Sequence, residues 1–172
     1  MKTIKIFLAS SIKEFAEERI SLKNFVRKME NVLIDHAVFL KMFICEYADN
    51  AIADGRKQDE FSREIDDSDI FFILVGQHIG EYTLEEYEYA LNIQRQRGDG
   101  TILACFKVCD EVRQSVMDYS EKLDANAVRV DFDNVTELKA AFARVIGKML
   151  CDTVPIHIEN EKVLIAGKAV KL

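Results

Sequence analysis

Short apolar runs alternate with longer amphipathic stretches along most of this chain. Lys2 to Ala9 becomes apolar toward its end and precedes two serines, which is typical of a buried strand that leads into a helix cap. The run Ile70 to Val75 is apolar throughout and too short for a core helix, so it predicts a central parallel strand covered on both faces. Three further strands are predicted, at Val38 to Cys45, Thr101 to Lys107 and Ala127 to Phe132.

Between these strands, apolar positions recur at steps of three and four residues, which is the period of a helix with one buried face. Helices are predicted at Ile12 to Glu30, Gly55 to Ile65, Thr83 to Arg97, Glu111 to Leu123 and Val135 to Leu150. Strand and helix alternate without hairpin spacing, which implies a parallel sheet with helices on both faces. The predicted fold class is therefore α/β, a three-layer flavodoxin-like sandwich with a five-stranded parallel sheet.

The pattern changes near the end of the chain. After Asp152, apolar and polar residues alternate on both sides of Asn160-Glu161, which predicts a β-hairpin without a helix. We expect residues 1–152 to form one α/β domain. Residues 153–172 are expected to form a hairpin that serves as a connector or as the start of a further module.

Composition limits the partners of this chain. Its 30 acidic and 23 basic residues give a formal charge of −7, which argues against direct nucleic-acid binding, because that binding depends on Lys and Arg. No apolar run approaches the ~20 residues of a membrane-spanning helix, so a cytoplasmic protein without membrane partners is expected. The Cys and His residues lack the spacing of a zinc site, so no metal is expected.

Ligands of open parallel sheets bind beyond the carboxyl ends of the strands. The loop from Gly76 to Tyr82 follows the predicted central strand, and three glutamates lie in the helix after it. On a helical wheel only Glu86 falls at the edge of the buried stripe, where a partly desolvated carboxylate could act as a catalytic group. The alternative is that Glu86 only completes a capping box with Thr83.

Other common nucleotide and hydrolase motifs are missing. The sequence contains no P-loop, no G-x-G-x-x-G after the first strand and no G-x-S-x-G elbow. Ser10 and Ser11 could still hold a phosphate or a ribose at the start of a helix, and plain helix capping is the alternative for both.

The segments KIFLASS and RKQDEFSREIDDSDIFFILVGQHIGEYTLEEYEYA resemble the TIR-like domains that bacteria fuse to larger defence and signalling proteins. These domains share a superfamily with nucleoside 2-deoxyribosyltransferases. The most specific element is SDIFFILVG followed by T-x-x-E-x-x-x-A, here Thr83, Glu86 and Ala90. The resemblance implies that Glu86 is catalytic and that NAD+ is the substrate, cleaved at its nicotinamide–ribose bond without a further cofactor. It also implies that the active form is a homo-oligomer.

The chemistry of the leaving group separates the possible substrates. Nicotinamide in NAD+ is cationic and leaves neutral, so one glutamate that stabilises the anomeric carbon suffices. A nucleobase would more often need a proton donor, for which His78 and Tyr82 are the candidates. Phe7 is more often a core residue than a ligand contact, and Arg56 and Gln58 could belong to a solvated face. The predicted substrate-binding residues are Phe7, Ser10, Ser11, Arg56, Gln58, His78 and Tyr82.

Three functions follow from the sequence. The first is an NAD+ hydrolase, an effector domain of a bacterial antiphage defence or signalling protein that is activated by assembly. The second is a signalling adaptor of the TIR type without catalysis. The third is an N-glycosidase or deoxyribosyltransferase that acts on nucleosides or nucleotides.

Overall fold

The structure, a computed structural model, describes residues 1–44, 55–121 and 127–172, and for residues 55–60 it describes the backbone alone. Within this part of the chain, five strands form one parallel sheet in the order β2-β1-β3-β4-β5. This confirms the predicted α/β fold with its five-stranded parallel sheet. The strands are β1 (Lys2–Ala9), β2 (Val38–Ile44), β3 (Ile70–Val75), β4 (Thr101–Lys107) and β5 (Ala127–Phe132).

Helices cover both faces of the sheet. One face packs against α1 (Ala16–Leu33) and α5 (Val135–Met149). The other packs against α2 (Gly55–Asp66), α3 (Glu81–Arg97) and α4 (Gln114–Glu121). A short 3₁₀ turn at 34–36 links α1 to β2. No helix in the described ranges is long and apolar enough to cross a membrane.

The strand side chains alternate between two hydrophobic cores. In β1, Ile4, Ile6 and Leu8 belong to the core under α1 and α5, whereas Phe7 and Ala9 belong to the core under α2, α3 and α4. All six residues of β3 are buried. A strand that is covered on both faces has no solvent-facing position, which explains why IFFILV is apolar without alternation.

The strand order creates a topological switch point between β1 and β3. From β1 the chain crosses to β2 on one side, and it later returns to place β3 on the other side of β1. The crossovers thus diverge at this point and leave a crevice at the carboxyl ends of the two strands. Ala9 pairs with Ile73, so the segments that follow β1 and β3 leave the sheet at the same edge.

A three-stranded antiparallel sheet follows α5, with strands β6 (Ile156–Glu159), β7 (Lys162–Ile165) and β8 (Lys168–Lys171). The hairpin around Asn160-Glu161 was predicted, but β8 was not, because only one of its four residues is buried. Side chains of this sheet belong to the same core as those of α1 and α5. They are Val163, Ile165 and Val170.

This shared core predicts that the small sheet contributes to the stability of the α/β unit. Ile165 is 0% exposed, and replacing it with alanine should lower the free energy of unfolding by about 2–4 kcal/mol, because it leaves a cavity. Leu164 precedes it in β7 and lies outside both cores, so Leu164→Ala is the matched control and should cost less than about 1 kcal/mol. Urea unfolding measures both values, and equal costs would contradict the prediction.

Candidate active site

The candidate site lies in the crevice at the switch point. Two segments enclose it, the turn from Ser10 to Phe15 after β1 and the loop from Gly76 to Gly80 after β3. The helix α1 therefore begins at Ala16 and not at Ile12, as the sequence predicted. Ser11 explains the delay, since its Oγ accepts a hydrogen bond from the Glu14 amide (3.4 Å) and its carbonyl accepts one from the Phe15 amide (3.1 Å).

Glu14 links the turn to the loop. Its Oε1 accepts a hydrogen bond from the Gln77 amide at 2.6 Å, and its Oε2 lies 3.5 Å from Nδ1 of His78. The carboxylate also occupies the space beside Gly76, where an added Cβ would lie 2.0 Å from Oε1. Position 76 must therefore be glycine while Glu14 keeps this place. The Glu14 side chain is only 17% exposed, so this contact is shielded from bulk water.

Glu86 lies in the second turn of α3. This helix buries Thr83, Tyr87 and Ala90, and Glu86 lies beside that stripe, half-buried. Burial raises the pKa of its carboxyl to about 7, while the positive charge of Arg19 opposes the shift and the nearby Glu85 adds to it.

The capping-box alternative for Glu86 is wrong. The N-cap of α3 is Gly80, and Thr83 lies inside the first turn of the helix, only 8% exposed. Thr83 therefore does not occupy the N-cap position that the motif requires. Helix capping gives no account of the half-buried position of Glu86.

Arg19 is the second charged group at this edge. It projects from the first turn of α1, is 6% exposed, and its Nη1 donates a hydrogen bond of 2.9 Å to Oγ of Ser10. Its charge also acts on Glu86, so residues from α1, β1's end and α3 meet here. A groove of about 400 Å³ has Arg19 in its wall. Its other lining residues are Ile12, Ala16, Ile20, Lys23, Asn24 and Ile44.

The sequence analysis missed Arg19 and Glu14 as site residues. Arg19 stands four residues after Phe15 and three before Leu22, both buried, so it occupies an apolar position of the helix. A charged residue in a buried stripe is rare unless it has partners, and that signal could have identified it. Glu14 gave no comparable signal, because its role depends on a loop more than sixty residues later.

The other predicted site residues have different fates. The structure brings Ser10, Ser11 and His78 to the crevice, and Tyr82 lies near the start of α3 with 49% exposure. Phe7 requires a correction. Its ring is 1% exposed and stacks on Phe43 and Phe71 at centroid distances of 5.4 and 5.6 Å, so it is a core residue with no surface for a substrate.

Two further predictions, Arg56 and Gln58, concern side chains outside the described residues. The structure therefore places neither of them relative to the crevice. In the part of the chain that is described, no group of three or more His, Cys, Asp or Glu side chains could hold a metal ion.

Comparison with known proteins gives the family. Residues 5–147 match the family described as "Domain of unknown function (DUF4062)". The chain belongs to the DUF4062 family. No curated protein matches the sequence of this DUF4062 chain.

Solved structures share its fold at low sequence identity. The CMP N-glycosidase BcmB of Clostridium botulinum is 14% identical, with a TM-score of 0.51 over 82% of this chain and 98% of that one. The flavodiiron core of Flv1 from Synechocystis sp. PCC6803 is 12% identical, with a TM-score of 0.37 over 87% of this chain and 36% of that one. RosB, with a bound intermediate, is 12% identical, with a TM-score of 0.38 over 89% and 81%. The TIR-like resemblance stays a prediction beside these matches.

The raised pKa of Glu86 predicts a pH-dependent cost to folding. The folded protein holds a proton on Glu86 up to about pH 7, whereas the unfolded chain releases it near the model value of 4.5. Stability from this group is therefore full below the unfolded pKa and is lost as pH rises through 7. Glu86→Gln should raise the free energy of unfolding by about 1–2 kcal/mol more at pH 8 than at pH 5.

Urea unfolding of the DUF4062 protein at the two pH values measures this difference. Glu85→Gln is the matched control, because Glu85 is the exposed neighbour of Glu86 and should respond equally at both values. An equal gain for Glu86→Gln at pH 5 and pH 8 would contradict the assigned burial.

Proposed function

We propose that this DUF4062 protein hydrolyses the N-glycosidic bond of a nucleotide, with Glu86 as the group that acts at the anomeric carbon. The observation that carries the proposal is the position of Glu86. It is a half-buried carboxylate beside the crevice of the β1–β3 switch point, under the influence of the buried Arg19. Such crevices are where open parallel sheets bind nucleotides.

The chemistry requires a carboxylate in such a place. When an N-glycosidic bond breaks, positive charge develops at the anomeric carbon of the sugar. An ionised carboxylate stabilises that charge, or attacks the carbon, more strongly in a shielded site than in water. Because the pKa of Glu86 lies at about 7, the group is ionised in a substantial fraction of molecules at neutral pH.

Arg19 and Ser10 support a phosphorylated substrate. A guanidinium group suits phosphate oxygens, and the Ser10 hydroxyl accepts a hydrogen bond from it at the end of β1. The fold shared with a CMP N-glycosidase is consistent with this substrate class.

NAD+ is the second candidate substrate. It is favoured by the TIR-like motif, whose residues Thr83 and Ala90 lie in the buried stripe of α3 beside Glu86. The same carboxylate would serve both substrates, and the two differ in what the leaving base needs. Under the NAD+ proposal the domain would act in antiphage defence or signalling, as a homo-oligomer activated by assembly.

The direct test is base release from CMP and from NAD+, measured by chromatography with the wild-type protein at low and high concentration. Glu86→Gln should lower the rate by at least about 100-fold on any substrate that is cleaved, because it removes the charge at the anomeric carbon. The matched control Glu85→Gln changes the neighbouring exposed carboxylate and should retain activity within about threefold. If no nucleotide is cleaved at any concentration, the adaptor function replaces the proposal.

A second prediction concerns pH. Because Glu86 must be ionised to act, kcat/KM should rise with pH on the acid side and level off above about pH 7. Steady-state rates between pH 5 and 8 measure this limb. An acid limb near the ordinary glutamate pKa would contradict the assignment of Glu86.

A further inference from the structure

The leaving base poses a chemical requirement that Glu86 does not meet, and the inference drawn from it rests on the proposed function. A neutral pyrimidine or purine leaves as an anion unless a group donates a proton to it. The nicotinamide of NAD+ leaves as a neutral molecule and needs no donor. Whether the site contains a proton donor therefore separates the two substrate classes.

The loop after β3 contains one side chain with the features of a donor. His78 is 44% exposed, so a substrate can reach it, and its Nδ1 faces Oε2 of Glu14 at 3.5 Å. An imidazole whose Nδ1–H faces a carboxylate has its Nε2 on the opposite side of the ring, ready to hold a second proton. Tyr82, the other candidate from the sequence, lies at the start of α3 with 49% exposure.

Glu14 is held firmly enough to orient the imidazole. Its Oε1 accepts the hydrogen bond from the Gln77 amide, which precedes His78 directly, so carboxylate and imidazole share one anchored loop. Oε2 is buried and has no hydrogen-bond partner among the described residues, so its remaining interaction is the contact with His78. A buried acceptor without a partner is costly, and a protonated Nδ1 would satisfy it.

Positive charge nearby favours the ionised form of this carboxylate. Lys107, at the end of β4, lies 2.6 Å from Oε1 of Glu18. The pKa of Lys107 is raised, chiefly by Glu18 and in smaller part by Glu14. The Glu14 carboxylate thus lies between an ammonium group and an imidazole.

We propose that His78 donates the proton to the leaving base and that Glu14 positions and supports it, so that the substrate is a nucleotide with a neutral base. As the C1′–N bond breaks, its electron pair leaves with the base, which takes the proton from Nε2 of His78. Glu86 stabilises the positive sugar carbon. Water then adds its hydroxide to C1′, and its proton returns to the imidazole. The net reaction is nucleotide plus water to free base plus ribose 5-phosphate.

The test compares two substrates that share ribose 5-phosphate and differ in the base, CMP and nicotinamide mononucleotide. His78→Ala should lower kcat on CMP by about 100-fold or more and change that on nicotinamide mononucleotide by less than about threefold. Added imidazole should restore part of the rate on CMP alone. Glu14→Gln keeps an acceptor for the Gln77 amide, and it should lower kcat on CMP by about tenfold without affecting nicotinamide mononucleotide.

The outcomes separate this inference from the proposed function. Equal losses on both substrates, without rescue by imidazole, would make His78 a structural residue and overturn the inference, while glycosidase activity that depends on Glu86 remains. Wild-type cleavage of nicotinamide mononucleotide but not of CMP would also overturn it. If neither substrate is cleaved, the proposed function fails and the inference fails with it.

Discussion

The hydrogen bond from the Gln77 amide to Glu14 is the contact on which the geometry of the crevice depends. It joins the turn after β1 to the loop after β3, two segments that the parallel register alone brings to the same edge. Without it, nothing printed in the contacts of Gly76 to His78 would tie that loop to the start of α1. The loop leads directly into Gly80 and α3, so the position of Glu86 follows from the same attachment.

Two carboxylates with different surroundings then share one edge of the sheet. Glu14 is surrounded by an amide, an imidazole and a distant ammonium group, all of which favour its charge. Glu86 is desolvated, and only Arg19 opposes the rise in its pKa. Environments that separate the behaviour of two acids are a recurring way to divide chemical roles within one site. Here the division would assign the sugar to Glu86 and the base to the Glu14–His78 pair.

The sequence predicted the sheet well, because each buried strand is a short apolar run with a clear boundary. It predicted the half-buried position of Glu86, although the buried stripe of α3 contains Thr83 and Ala90 and not Leu84 and Leu91. Helix starts were less predictable. Ser11 forms a turn that delays α1 to Ala16, and local hydrogen bonds of that kind compete with the helix without changing the periodicity. Contacts between distant segments, such as that of Glu14 with Gln77, leave no local pattern to find.

The close approach of Glu14 to Gly76 has a consequence for relatives of this chain. A side chain at position 76 and a long carboxylate at position 14 would require the same volume, since a Cβ there would fall 2.0 Å from Oε1. Substitutions at the two positions should therefore be correlated across the family. A member with a bulkier residue at the equivalent of 76 is expected to have a shorter one at the equivalent of 14, and its histidine would then have lost its acidic neighbour.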